Sequence, residues 1–194
     1  MSKVITISRQ YGSGGKEMGE KLAKRLGIPF YGKELIAMIA EEGDIEPAIL
    51  EAHDDLEPDV DGFSVLHGSG HSQTSVTQRI YAAQEAVIKR LAEEGPSVIV
   101  GRCADAILPQ AINIYVYADL ECRIRRIMQV HPELARYNIK ANIQAVDKRR
   151  KAYHEYYSTA EWGKMEAYDI CLNSGLIGVD GCVEVALSYI ERVK

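Results

Sequence analysis

The residues best suited to chemistry lie near the start of the chain, in Gly12-Ser13-Gly14-Gly15-Lys16-Glu17. Glycines lack a Cβ, so such a stretch can aim several N–H groups at one anion, and a helix opening behind it adds partial positive charge. Val4-Ile5-Thr6-Ile7-Ser8 precedes it as a β-type run. Met18, Leu22, Ala23 and Leu26 then recur on one helical face. A strand, a glycine-rich turn and a helix form the context of a phosphate-binding loop. Lys16 is placed to neutralise the β- and γ-phosphates of a nucleoside triphosphate, while Ser13 and the amides of Gly12, Gly14 and Gly15 supply donors. The loop departs from G-x-x-x-x-G-K-[ST] in two places: Gln10 replaces the first glycine, and Glu17 replaces the hydroxyl residue that normally ligates magnesium. Glu17 suits the helix dipole but repels phosphate. A Mg2+ ion is then held through water, by Ser13, or by a carboxylate from another strand end.

Two further clusters could complete a site around that anion. Gly101-Arg102-Cys103-Ala104-Asp105 follows the apolar run Ser97 to Val100, at the strand end where open parallel sheets bind ligands. There Arg102 can clamp a phosphate through two parallel hydrogen bonds, and Asp105 can accept from a base amino group, a sugar hydroxyl or a magnesium-bound water. An ion pair between the two is the structural alternative. The third cluster is basic: Arg123, Arg125 and Arg126, and further on Asp147-Lys148-Arg149-Arg150-Lys151 in a helical stretch. Alone it reads as a solvated helix face; beside a phosphate loop it reads as a lid that brings arginines to the transferring phosphoryl group. The five histidines have no metal-ligand spacing. Trp162 and the tyrosines around it read as packing, and Cys103 as a small buried filler.

These pieces need a scaffold. Ser97 to Val100, Ile112 to Tyr117, Tyr168 to Leu172, Val4 to Ser8 and a short Ile28 to Tyr31 piece make five expected strands. Between them run helical patterns, including Thr77 to Ala92, and Val179 to Val193 closes the chain. Alternating strands and helices predict a five-stranded parallel sheet with helices on both faces. Asp54 to His71 is acidic, then glycine-rich, and reads as a surface excursion or flap.

Composition narrows the function classes. With 194 residues the chain suits one domain. A net charge of -5 argues against nucleic acid or an anionic membrane as partner. Four scattered cysteines without a C-x-x-C pair, and no apolar leader, predict a reduced, cytoplasmic protein. No apolar run approaches the roughly 18 to 20 residues that cross a bilayer.

Ile5 to Lys16, Leu26 to Ile36, Val98 to Asp105, Asp147 to Arg150 and Tyr168-Asp169 fall in order over nearly the whole chain. Together they resemble the cytidylate kinase-like family of P-loop proteins. The resemblance implies a three-layer P-loop NTPase fold with an acceptor-binding or flap insertion over about 32–80 and a helical lid over about 141–165. It implies ATP and Mg2+ as cofactors, with ATP at Gly12 to Glu17 and at Arg123. The acceptor, CMP or another nucleoside monophosphate, is expected near Lys33, Arg79, Arg102, Asp105 and Lys148. Lys16, Arg102, Arg149 and Arg150 are the expected catalytic charges. Compared with cytidylate kinases themselves, Gly15 displaces Lys16 by one position, Gly32 stands where aspartate is frequent, and the serine and arginine that hold cytidine monophosphate are missing. A nucleotide-binding protein without transfer activity is the competing expectation.

Overall fold

A computed structural model describes residues 4–50, 76–136 and 138–193. The strands are β1 (Ile5–Arg9), β2 (Phe30–Tyr31), β3 (Val98–Val100), β4 (Ile112–Tyr117) and β5 (Ile170–Asn173). They form one sheet in the order β2-β3-β1-β4-β5, every neighbouring pair parallel. β1 is central, with Ile5 in register with Val98 on one side and Ile112 on the other. Its buried run of β-branched residues reflects a strand covered on both faces.

The helices are α1 (Gly15–Leu26), α2 (Glu34–Gly43), α3 (Val76–Glu94), α4 (Ala104–Ile107), α5 (Leu120–Val130), α6 (Ile139–Tyr157) and α7 (Ser174–Ile190). One core layer joins α1 and α7 to the sheet through Met18, Leu22, Ile7, Ile114, Cys182 and Val183. The other joins α2, α3 and α4 to the opposite face through Leu35, Ile39, Ile80, Ile88, Ile99 and Ala104. The expected three-layer α/β architecture is therefore present, and the chain turns from one half of the sheet to the other beside β1. In such sheets the carboxyl ends of the strands at that switch form the ligand crevice.

Local differences from the sequence expectation have physical reasons. The last helix begins at Ser174, five residues before Val179, because Asn173 caps it by accepting from the Gly175 amide. Gly178, at φ 71°, then interrupts it, so the regular amphipathic run starts where periodicity placed it. β5 starts at Ile170 because Met165–Ala167 form a 3-10 turn, which the Tyr168 amide closes by donating to Met165 O. The expected excursion at Asp54 to His71 lies outside the described residues. Among the described residues no helix is long and apolar enough to cross a membrane.

Candidate active site

The loop after β1 is built from backbone. Gly12 (φ 77°) and Gly14 (φ 80°) are left-handed, a conformation that a side chain would strain. Gly14 caps α1 with no side-chain partner, and the first intrahelical bond runs from the Met18 amide to Gly14 O at 2.9 Å. The amides of Gly15, Lys16 and Glu17 precede that bond, so they are donors of the kind that a helix N-terminus offers an anion. Lys16 lines the cavity above the loop with its side chain half-exposed, 3.3 Å from Glu20.

Both departures from the consensus loop have structural uses. The Gln10 amide donates to Val116 O at 3.0 Å, and its side-chain oxygen accepts from the Ala118 amide at 3.2 Å. Gln10 therefore prolongs the pairing of β1 with β4 and braces the exit of β4. Glu17 pairs with Lys21 at 2.8 Å, and Lys21 also reaches Asp180 on α7 at 2.6 Å. Glu17 faces that surface network and is not part of the cavity wall. Ser13 is fully buried, and its hydroxyl donates to Gln10 O at 2.8 Å, so in this arrangement it serves the loop's own shape.

Three helices hold the loop from outside. Arg126 on α5 donates to Gly12 O at 2.8 Å, and the Ser174 hydroxyl at the start of α7 donates to Ser13 O. Asp147 on α6 accepts from the Tyr11 amide at 2.7 Å and pairs with Arg123, whose guanidinium also donates to Tyr11 O at 3.4 Å. Arg123 is buried under this network; it shapes the loop and does not line the cavity. Arg150 donates to Arg9 O at 3.0 Å and lies 5.6 Å from the centre of the Tyr11 ring.

The second turn, after β3, has a different construction. Gly101, Arg102 and Cys103 are all left-handed, at φ 81°, 58° and 52°. Two of them carry side chains, and such residues cost on the order of 1–3 kcal/mol each unless the surroundings hold them. Gly101 lies close under Arg9: a Cβ there would sit 2.1 Å from Arg9 Nη1, so the guanidinium would have to move aside, and the φ of 81° would be strained for any other residue. Arg9 thus crosses from the first loop onto the second turn. Arg102 O accepts from Gln84 Nε2 at 2.7 Å, and Gln84 Oε1 accepts from the Tyr153 hydroxyl at 3.0 Å. Burial pushes the Tyr153 phenol well above its ordinary pKa, so it remains an O–H donor. Burial also pushes the Cys103 thiol far up, which keeps it protonated and in keeping with a filler.

Behind the turn, Asp105 accepts from the Ser8 hydroxyl at 3.1 Å and lies 2.7 Å from His154 Nε2. A carboxylate only accepts, so Nε2 carries the ring proton. Asp105, weighed from sequence as an ion-pair partner of Arg102, is in buried contact with His154.

Between the two turns lies a cavity of about 660 Å³. Its wall includes Arg9, Lys16, Lys33, Arg102, Arg149 and Arg150, and no aspartate or glutamate of the described residues. The geometry therefore brings together Lys16, Lys33, Arg102, Arg149 and Arg150 of the residues singled out from sequence. It places the others elsewhere. Arg79 donates to Gly43 O and Asp44 O at 3.0 and 3.2 Å, closing the end of α2. Asp105 stands behind the wall, and Lys148 is on the exposed side of α6. Sequence reasoning missed Arg9, Gln84, Asp147 and His154 as organising residues. A signal existed for Gln84, the one polar residue in the buried stripe Ile80, Ala83, Val87, Ile88 and Leu91. Among the described residues, no group of three or more His, Cys, Asp or Glu is arranged to hold a metal.

Residues 4–176 match the model of the cytidylate kinase-like family. The chain belongs to that family. A solved structure of an uncharacterized protein from Eubacterium ventriosum is 29% identical, with a TM-score of 0.73 over 98% of this chain and 99% of that one. Shikimate kinase from Acinetobacter baumannii, solved with shikimate, is 16% identical, with a TM-score of 0.56 over 100% of this chain and 96% of that one. Shikimate kinase from Bacteroides thetaiotaomicron is 14% identical, with a TM-score of 0.59 over 98% of this chain and 99% of that one. At these identities the two shikimate kinases share the fold. No curated protein matches the chain. Membership of the cytidylate kinase-like family, together with the P-loop kinase fold, supports a nucleotide or small-molecule kinase.

Proposed function

We propose that this cytidylate kinase-like protein transfers the γ-phosphoryl group of ATP to a small anionic acceptor, a nucleoside monophosphate. The observation that carries the reading is the charge of the cavity: among the described residues its wall carries six cationic side chains and no carboxylate, within a chain of net charge -5. A wall of this kind suits phosphorylated substrates meeting end to end. The amides at Gly12 to Lys16 and the Lys16 ammonium hold the β- and γ-phosphates. Arg102, Arg149 and Arg150 face the transferring group, and Lys33 at the start of α2 faces the acceptor. Phosphoryl transfer needs charge neutralisation and in-line alignment more than a strong base.

The donor set bears on the metal. With Ser13 buried in the loop and no carboxylate on the wall, the described residues offer Mg2+ no charged ligand. In this reading the ion arrives on the triphosphate and keeps most of its water, as Mg2+ commonly does in phosphate sites. When bound it would offset charge on the phosphate oxygens; alignment falls to Lys16 and the arginines.

The test is ADP release by purified protein with ATP, Mg2+ and a panel of nucleoside monophosphates. Release that depends on one of these acceptors is the expected result. ATP binding without acceptor-dependent turnover would overturn the kinase reading in favour of a nucleotide-binding protein.

A further inference from the structure

One face of α6 reaches both turns. Asp147 and Arg150 touch the first loop; one turn further on, Tyr153 touches the second through Gln84. Gln84 itself comes from α3, is completely buried, and spends both ends of its amide: one on the carbonyl of left-handed Arg102, the other on the Tyr153 hydroxyl. A buried amide in an apolar stripe costs desolvation unless both ends are satisfied, and here its partners are the strained turn and the helix that lines the cavity. An apolar residue would pack as well against Ile80 and Ile88. It would take from Arg102 O the Gln84 donor and from the turn that lateral support.

We propose that Gln84 is a positioning residue: together with Tyr153 it locks the left-handed Gly101-Arg102-Cys103 turn, so that Arg102 is aimed into the cavity only while α6 is seated. The inference rests on the reading of Arg102 as a phosphate-clamping residue, and it deepens that reading by making the clamp depend on α6. It predicts that Gln84 acts through Arg102 and not on the first loop.

Two measurements test it together. The first needs no ligand: amide hydrogen exchange at Gly101 and Ala104, whose N–H groups donate to Ile7 O and Gly101 O in this turn. Gln84→Leu should speed their exchange about tenfold while leaving the Tyr11 and Met18 amides unchanged. Tyr153→Phe, a milder change that keeps the ring, should give the same pattern at smaller amplitude. Unchanged rates at Gly101 and Ala104 in both variants would overturn the inference.

The second is a double-mutant cycle on binding of adenosine and cytidine joined through five phosphates, measured by calorimetry. Gln84→Leu should weaken binding about tenfold in the natural chain and have little effect once Arg102→Ala is present. An equal loss in both backgrounds would show a general structural role and overturn the inference. If the natural chain fails to bind the bisubstrate compound, cytidine monophosphate is not its acceptor while the acceptor panel still tests the proposed function, and the exchange rates alone decide whether Gln84 locks the turn.

Discussion

The two turns that face the cavity solve one problem by opposite means. The loop after β1 uses Gly12 and Gly14 to reach left-handed angles at little cost, and it presents backbone amides to an anion. The turn after β3 forces Arg102 and Cys103 into the same region of backbone space and presents a side chain. The first is braced through its carbonyls and the Tyr11 amide by α5, α6 and α7. The second is braced at the Arg102 carbonyl by a buried amide, Gln84, backed by α6. The difference teaches that a backbone site tolerates substitutions in its surroundings as long as the loop keeps its shape. A side-chain site depends on each residue that fixes its aim.

The largest expected effect separates binding from folding at the first turn. Lys16→Ala should lower kcat/KM by about 10²–10³-fold and abolish ATP-induced thermal stabilisation. The Lys16 side chain is half-exposed, so the stability without nucleotide should stay within about 0.5 kcal/mol of the natural chain. An unchanged ATP-induced melting shift would sink the phosphate-loop assignment.

Asp147→Asn attacks the brace of the same turn. It removes the charge facing buried Arg123, and breaking one side of such a pair costs about 3 kcal/mol. Urea denaturation should show the loss, with weaker ATP binding following from the loosened Tyr11. Full stability in this variant would mean that the pair is solvated.

Gly101→Ala tests the second turn. The added Cβ would meet Arg9 Nη1, and the φ of 81° adds strain, together about 1–3 kcal/mol. Acceptor KM should rise more than ATP KM. The reverse order would place the acceptor elsewhere.

Smaller still, Ser13→Ala should cost about 1 kcal/mol by removing the bond to Gln10 O, while the magnesium dependence of turnover stays as it was. A large shift in that dependence would return Ser13 to the role of magnesium ligand. Cys103 should remain unmodified by iodoacetamide at about pH 8 in native protein, as read by mass spectrometry, because burial holds its thiol protonated.

Sequence made the first turn far more legible than the second. Its signals are local: a β-branched run, glycines at short spacing, and Lys16 at a helix start. Sheet and helix order were readable for the same reason, since apolar periodicity in β1, β4 and α3 reports burial directly. The roles of Asp147, Gln84 and His154 were not readable. Their partners are 136, 18 and 49 residues away along the chain, and only packing decides that they meet. Arg79 shows the converse: its charge and position fitted an acceptor site, yet the open carbonyls at the end of α2 lie closer and capture it. Arg9 carries no local signal, and its reach to Gly101 becomes visible only once β1 and β3 stand side by side.

The central claim is that the two turns bind one continuous chain of phosphates. Calorimetric titration of the natural chain and of Arg102→Ala with ATP, and with adenosine and cytidine joined through five phosphates, tests it most directly. The account predicts that the joined compound binds the natural chain at least about a hundredfold more tightly than ATP. Arg102→Ala should lose most of that gain and keep its affinity for ATP. Equal affinity for the two ligands, or a gain untouched by Arg102→Ala, would contradict it.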